Sequence, residues 1–441
     1  MRQSIGKRAG MLAILVIVLV GLATSAPTWA ETALAVDEVG TLNGVTYKIK
    51  VPENWNRTLL MYAHGYSRSD PPTLVPFEIE ILSGSVLEDR LLAHGYALAA
   101  SSYRNAGWAV KEGMKDTKAL TKFFKKRVAK PDRTILWGSS MGSAVTLRSI
   151  EKEAGLYDGA IVFSHLGAGT SLNFDQALSI ALAYEVALGW PASWGSVGDV
   201  RDDLDFETEV LPDILSKLLT FDPATGAPTS LNMANLGKFE FLRLVNHIPA
   251  AGFYSGTIPL DFWLAGDMLF ATSGRGELEA RAGGAVSQNL NHTYTLTSIE
   301  KDHLAGLGVD ADDLLVQMNA RTNIEADRHA RKYLKKYADF SGKLKRPVLT
   351  VQPIGDGMTA PANSHVYQKT VKRAGKSKFL VQTYTNGKMH VGFTPDQVLE
   401  AFAAMEFWLD TGERPGPDFF PDELDFDDDY EPPPWPQPTA K

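Results

Sequence analysis

The 441-residue sequence contains no cysteine. That excludes disulfides, thiolate metal sites and a cysteine nucleophile, so an exported chain of this kind has to be held by its core alone. A basic stripe is also missing. The formal charge is −8, and the stretch from Pro415 onward carries eight acids (Asp418, Asp422, Glu423, Asp425, Asp427, Asp428, Asp429 and Glu431) against one base, Lys441. The remainder is therefore close to neutral, which argues against a nucleic-acid partner. Its histidines have no metal-ligand spacing, nothing calls for a cofactor, and no internal repeat is found. One apolar run stands out, at 11–23, behind Arg2, Lys7 and Arg8 and ahead of small residues. It reads as a cleavable export signal over 1–30, with cuts possible after Ala30 or Ala35, and it is short for a membrane span of about 20 residues. The expected location is secreted or extracytoplasmic, with membrane contact only through that segment.

What is present is a strand–helix rhythm. Residues 39–51 alternate about Asn43-Gly44, a strong hairpin signal. A buried-strand run at 57–63 ends at His64-Gly65-Tyr66, and a loop follows at 67–76. Helices are expected at 88–94, 108–126 and 141–153, and strands at 96–102, 134–137 and 159–164. Alternation of this kind predicts a doubly wound, mostly parallel α/β sheet. From 166 to 345 the rhythm stops and helices with loops replace it. Asn173-Phe174-Asp175-Gln176 resembles a capping box opening a helix to Leu188. About 180 residues cannot be one loop, so the region reads as a mainly helical insertion. The rhythm returns over 346–414, with strands at 346–352 and 378–383 and a helix at 395–409. The acidic, Pro-rich stretch 415–441 reads as extended or disordered.

The chemistry centres on Gly138-Ser139-Ser140-Met141-Gly142, a G-x-S-x-G turn between a strand and a helix. Small residues two places either side of Ser140 let the chain reverse sharply and lift the hydroxyl off the sheet. A serine needs a base, and the base needs an orienting acid. Asp356 follows the strand at 346–352, and His390 follows the next one. Ser, Asp, His is the chain order this turn requires, and all three fall at the carboxyl edge of the sheet. For the oxyanion, the backbone N–H of Met141 is one donor and that of Tyr66 the second. His64 reads as a brace for that loop. Arg104 leaves a core strand at the same edge and either contacts substrate or braces a loop. His165 leaves another and is either packed or part of the pocket.

In this order, His64-Gly65-Tyr66, Gly138 to Gly142, Asp356 and His390 resemble the α/β-hydrolase superfamily. The resemblance implies Ser140 as nucleophile, His390 as general base and then acid, Asp356 as its partner, and the amides of Tyr66 and Met141 as oxyanion hole. It also implies that the helical insertion is a lid between the sixth and seventh strands. Serine at the turn points away from the dehalogenase and epoxide hydrolase branches, which need a carboxylate nucleophile. The expected activity is a serine carboxylesterase acting on small-molecule or polymeric esters with an apolar or aromatic group. Two alternatives stay open: an aminopeptidase using the acids at 199–209 (Asp199, Asp202, Asp203, Asp205, Glu207, Glu209) to hold an ammonium, and a non-catalytic binding protein.

Overall fold

A hairpin and six further strands build one eight-stranded sheet. The computed structural model describes residues 32–68, 86–250 and 262–436; the expected export signal and most of the expected loop at 67–76 lie outside them. Strands β1 (Leu34–Leu42) and β2 (Val45–Pro52) pair antiparallel across Asn43 and Gly44, whose φ values are 53° and 79°. Two consecutive positive φ angles suit the twist of a hairpin, and Asn-Gly adopts them at least cost. β1 alternates half-buried with exposed residues, as an outer strand does.

The inner strands read differently because helices cover both faces. β3 (Thr58–Ala63) and β4 (Ala97–Ser101) are buried throughout, with helix α1 (Val86–Ala93) between them in the chain. Helix α2 (Val110–Phe123), β5 (Arg133–Ser140), α3 (Met141–Lys152) and β6 (Gly159–His165) follow. The spatial order is β1-β2-β4-β3-β5-β6-β7-β8, where β7 is Val348–Pro353 and β8 is Leu380–Thr385. β2 runs antiparallel to both neighbours, and every other pairing is parallel. This is the α/β-hydrolase fold. Leu87 and Leu91 of α1 and Phe402 and Trp408 of the last helix fill one face; Leu120 of α2, Leu147 of α3 and Tyr367 fill the other.

Between β6 and β7 the chain leaves the sheet and builds a second core of its own. Its centre is α4 (Gly169–Leu188), buried on most faces and packed by α5 (Leu211–Leu218), α6 (Met233–Val245), α7 (Phe262–Ala271) and α10 (Ala311–Asn319). Helices α8 (Ser273–Ala282), α9 (Ser298–Gly306) and α11 (Arg328–Tyr337) complete it. The region also holds two short antiparallel ribbons, 195–200 and 219–231, which the sequence pattern did not indicate. α8 and α11 place Leu278, Ala330 and Leu334 against Met141, Ala144 and Val145 of α3, so the insertion sits directly on the carboxyl edge of the sheet.

Two expectations are corrected. α4 starts four residues before Asn173, at Gly169. Its first amides are taken by groups remote in sequence: the Ser171 N–H and hydroxyl donate to Asp339 (2.9 and 2.6 Å), and the Ala168 N–H donates to Asn363 Oδ1 (3.0 Å). Asn173 lies inside the helix and Asp175 pairs with Arg331 at 2.9 Å, so no capping box forms. The second concerns the C-terminal stretch. After α12 (Ala362–Arg373) and α13 (Pro395–Thr411), residues 415–436 lie on the body. Phe420 and Phe426 enter the core, and Trp435 packs on Ala362 and Val366. The Asn386 N–H donates to Asp425 O (2.9 Å) and the Asp427 N–H to Tyr384 O (3.0 Å). Aromatic residues spaced among the acids supply the apolar burial that the composition understated.

Backbone comes close to backbone at the crossing of β3 and α3. A Cβ on Gly142 would stand 2.0 Å from Ala63 O and 2.7 Å from His64 O. Gly142→Ala is therefore expected to destabilise the fold by about 3 kcal/mol or more, the upper range for overpacking. Urea unfolding checks this; an unchanged midpoint would mean that β3 and α3 can separate freely.

Candidate active site

Ser140 ends β5 and directly precedes α3, with φ 53° and ψ −129°. A non-glycine residue in that region is strained, and strain of this kind persists only where the surroundings hold it. Here Ser143 holds it: its hydroxyl donates to Ser140 O (2.5 Å) and accepts from the Leu166 N–H (3.0 Å). Gly138 and Gly142 allow the turn, since a Cβ on Gly138 would meet Ala63 O at 2.5 Å. Met141 is the first residue of α3, so its N–H has no acceptor within the helix and is directed outward beside Ser140.

Asp356 follows β7 and is fully buried. Its Oδ1 accepts from the N–H groups of Met358 (3.0 Å) and Thr359 (2.9 Å), and Oδ2 accepts from the Thr359 hydroxyl (2.7 Å). His390 follows β8, and its Nδ1 lies 2.9 Å from Oδ2 and 3.1 Å from Oδ1. Burial pushes the Asp356 carboxyl up, but the charge and hydrogen bond of His390, with the Thr359 donors, outweigh it and hold it down at about 2. The carboxylate is thus ionised across the neutral range and fixes the imidazole with Nδ1–H toward it. The His390 loop is itself tethered, because the Val391 N–H donates to Ser164 Oγ (3.0 Å).

The structure thus brings Asp356 and His390 together and delivers Ser140 to the same edge of the sheet. Tyr66 lies beyond β3, half-buried, with its ring against Phe270 (5.1 Å between centroids). His64 is a brace: Nδ1–H donates to Gly65 O (2.8 Å), its ring stacks on Tyr103 at 3.8 Å, and its carbonyl accepts from the Tyr103 hydroxyl (3.2 Å). Burial lowers it to about 4, so it stays neutral. Arg104 braces a loop by binding Asp116 of α2 through Nε (3.0 Å) and through its own N–H (3.0 Å). His165 is packed behind the acid, with Nε2 2.9 Å from Ser364 Oγ and burial lowering it to about 3. None of the acids at 199–209 lines the cavity that opens onto Ser140. Asp203 and Glu209 pair with Arg201 (2.6 and 2.5 Å), Glu207 pairs with Arg68, and Asp205 caps a turn through the Thr208 N–H (2.8 Å).

A cavity opens onto Ser140, walled by Trp108, Phe174, Ile180, Phe270, Met358 and Thr359. No group of three or more His, Asp or Glu among the described residues could hold a metal ion, and none of the described helices is long and apolar enough to cross a membrane. Four residues of the site escaped the sequence reading. Ser143, Ser164 and Thr359 act through hydrogen bonds to backbone or carboxylate, which leave no periodic trace. The fourth is Asp267, a lone acid in the apolar run 262–271, which also lines the cavity. A charge inside a buried helix is the signal that could have found it.

The overall similarity to known proteins is distant. An esterase from Aspergillus oryzae is 14% identical, with 86% of this chain and 80% of that one aligned at a TM-score of 0.39. An esterase from Pyrococcus furiosus is 13% identical over 86% and 92% (TM-score 0.38). An acylaminoacyl peptidase from Pyrococcus horikoshii is 11% identical over 86% of this chain and 42% of its own (TM-score 0.40). No protein-family model matches the sequence, and no curated protein matches it either.

Thr359 supplies two of the contacts that keep Asp356 charged. Thr359→Val is expected to lower stability by about 1–3 kcal/mol, the cost of an unsatisfied buried acceptor. It should also move the downfield NMR resonance of the His390 Nδ1 proton. Thr359→Ser should restore both; if the serine variant behaves like valine, the hydroxyl is not what supports Asp356.

Proposed function

We propose that this α/β-hydrolase-fold chain is a serine carboxylesterase working through an acyl-enzyme on Ser140. The observation that carries the reading is the buried Asp356–His390 pair, delivered by loops after adjacent parallel strands to the edge where Ser140 is held at φ 53°. In this reading His390 Nε2 takes the Ser140 proton as Oγ attacks the ester carbonyl. The oxyanion is met by the N–H groups of Met141 and Tyr66, preorganised by the α3 terminus and the His64 brace. His390 then gives its proton to the leaving alcohol, and water repeats the sequence to free the acid. Asp356 stays ionised throughout and stabilises the imidazolium.

Apolar and aromatic groups suit the cavity better than small polar ones, given Trp108, Phe174 and Phe270 in its wall. The ester reading is preferred to the aminopeptidase because none of the acids at 199–209 lines the cavity, and Asp203, Glu207 and Glu209 are engaged in ion pairs with arginines. The insertion acts as the lid of this site, with α7 and α4 forming its roof. We also propose export through the segment 1–30. A cut after Ala30 leaves β1 whole, whereas a cut after Ala35 removes its first two residues.

A fluorophosphonate probe is expected to label the wild-type protein and to fail on Ser140→Ala. His390→Ala should lower turnover of a nitrophenyl ester by about four to six orders of magnitude while circular dichroism stays native. An unlabelled wild-type protein would sink the enzyme reading. Faster turnover of aminoacyl nitroanilides, with a free α-amine required, would replace the esterase by a peptidase.

A further inference from the structure

The cavity above Ser140 contains a carboxyl group for which the triad has no use. Asp267 lies on α7, one turn before Phe270, so both side chains present the same helical face. Only 5% of Asp267 is exposed, yet it lines the cavity with Ser140 and the aromatic wall. Its Oδ2 is buried and has no hydrogen-bond partner among the described residues. Apart from Ser140, the other polar side chains of the lining each have a partner already. Asn173 Nδ2 donates to Gly169 O (2.9 Å), Gln176 Nε2 donates to Asn246 O (3.1 Å), and the Thr359 hydroxyl is bound to Asp356. α7 is drawn close to the acid loop at Gly266, where a Cβ would meet the Met358 side chain at 2.6 Å. That contact holds Asp267 between the aromatic wall and the loop carrying Asp356.

We propose that Asp267 is a specificity-determining residue that hydrogen-bonds an uncharged hydroxyl group on the apolar or aromatic part of the substrate. A buried acid with an unmatched oxygen costs free energy, and such a cost is retained where a ligand removes it. Among the described residues no cation pairs with Asp267, and the charge that acts on it is the carboxylate of Asp356. Burial, with Asp356 adding to it, pushes Asp267 well above the usual carboxylate range, which favours its neutral form. A neutral carboxyl has one O–H to give and one carbonyl oxygen to receive, and a hydroxyl satisfies both. An ammonium would instead require Asp267 to ionise in a buried position near a second carboxylate. Ionised Asp267 would also oppose the negative charge developing at Ser140. The chemistry therefore selects hydroxylated, uncharged esters over amines.

This inference rests on the hydrolase reading for its word "substrate", but its test does not need turnover. Full-length Ser140→Ala protein is titrated with methyl benzoate, methyl 3- and 4-hydroxybenzoate and methyl 4-(aminomethyl)benzoate, and binding is read from tryptophan fluorescence. A hydroxylated ester is expected to bind at least about tenfold tighter than methyl benzoate. Adding Asp267→Leu should abolish that difference while leaving methyl benzoate within about twofold; Asp267→Asn, neutral and still a donor, should keep most of it. If hydroxyl confers no preference, or if Asp267→Leu weakens every ester equally, the proposal falls. Tightest binding of the aminomethyl ester, lost in Asp267→Asn, would overturn it in favour of an ammonium site. Fluorophosphonate labelling of the single Asp267→Leu and Asp267→Asn proteins reports on Ser140 separately. Hydroxyl-dependent binding without any labelling of the wild type would remove the hydrolase reading and leave the Asp267 assignment standing.

Discussion

A carboxylate with no exposure to water governs this site. Asp356 is charged, and removing such a group from solvent is unfavourable by several kcal/mol unless its lone pairs are matched. The fold matches them with two amides of its own turn, one hydroxyl and one imidazole. Each partner is fixed by something further out. Gln352 Nε2 donates to Thr359 O (2.7 Å) while Gln352 Oε1 accepts from the His165 N–H (2.9 Å), so the end of β6 sets the turn that surrounds the acid. Ser164, one residue earlier on β6, holds the loop of His390. One strand end therefore positions both the acid and its histidine, which explains a run of buried polar residues at the rim of an otherwise apolar sheet.

Ser140 is placed by contact rather than charge. At the β3–α3 crossing, backbone meets backbone, and the two glycines flanking Ser140 are where that is possible. The same crossing carries the chain from Ala63 into His64 and Tyr66. A displacement of α3 would move the Met141 amide and the Tyr66 loop together, because both are referenced to one point of closest approach. The neutral, stacked His64 suits that role, since a charged imidazole there would be both poorly solvated and loosely held.

Much of this was legible in the sequence. Asn43-Gly44 announced its hairpin, fully apolar runs announced the inner strands, and the turn at Ser140 with later Asp356 and His390 announced which residues meet at the carboxyl edge of the sheet. These signals are local: each depends on residues within one element or one turn. What was missed depends on partners far apart in the chain. α4 begins where Asp339 and Asn363 can take its amides, not where the nearest Asx residue lies. Asp175 looked like a cap residue and is in fact half of an ion pair with Arg331, 156 residues away. Acids dominate the composition of the C-terminal stretch, yet its aromatics decide its placement, because a few deeply buried rings outweigh many solvated charges.

That last feature bears on how the molecule comes into being. The loop bearing His390 is flanked by Asn386, held by Asp425 O, and by Gln397, whose Nε2 donates to Leu424 O (2.8 Å). Both acceptors come later in the chain than His390 itself. During synthesis from the N-terminus these groups leave the ribosome after β5, Ser140 and His390 have been made. The turn at Ser140 can form early from neighbouring chain, while the His390 loop waits for the stretch that fastens it. A chain stopped before Leu424 would carry the whole sheet and an unfastened histidine, so the Asp356–His390 pair is secured only after the sheet has been made.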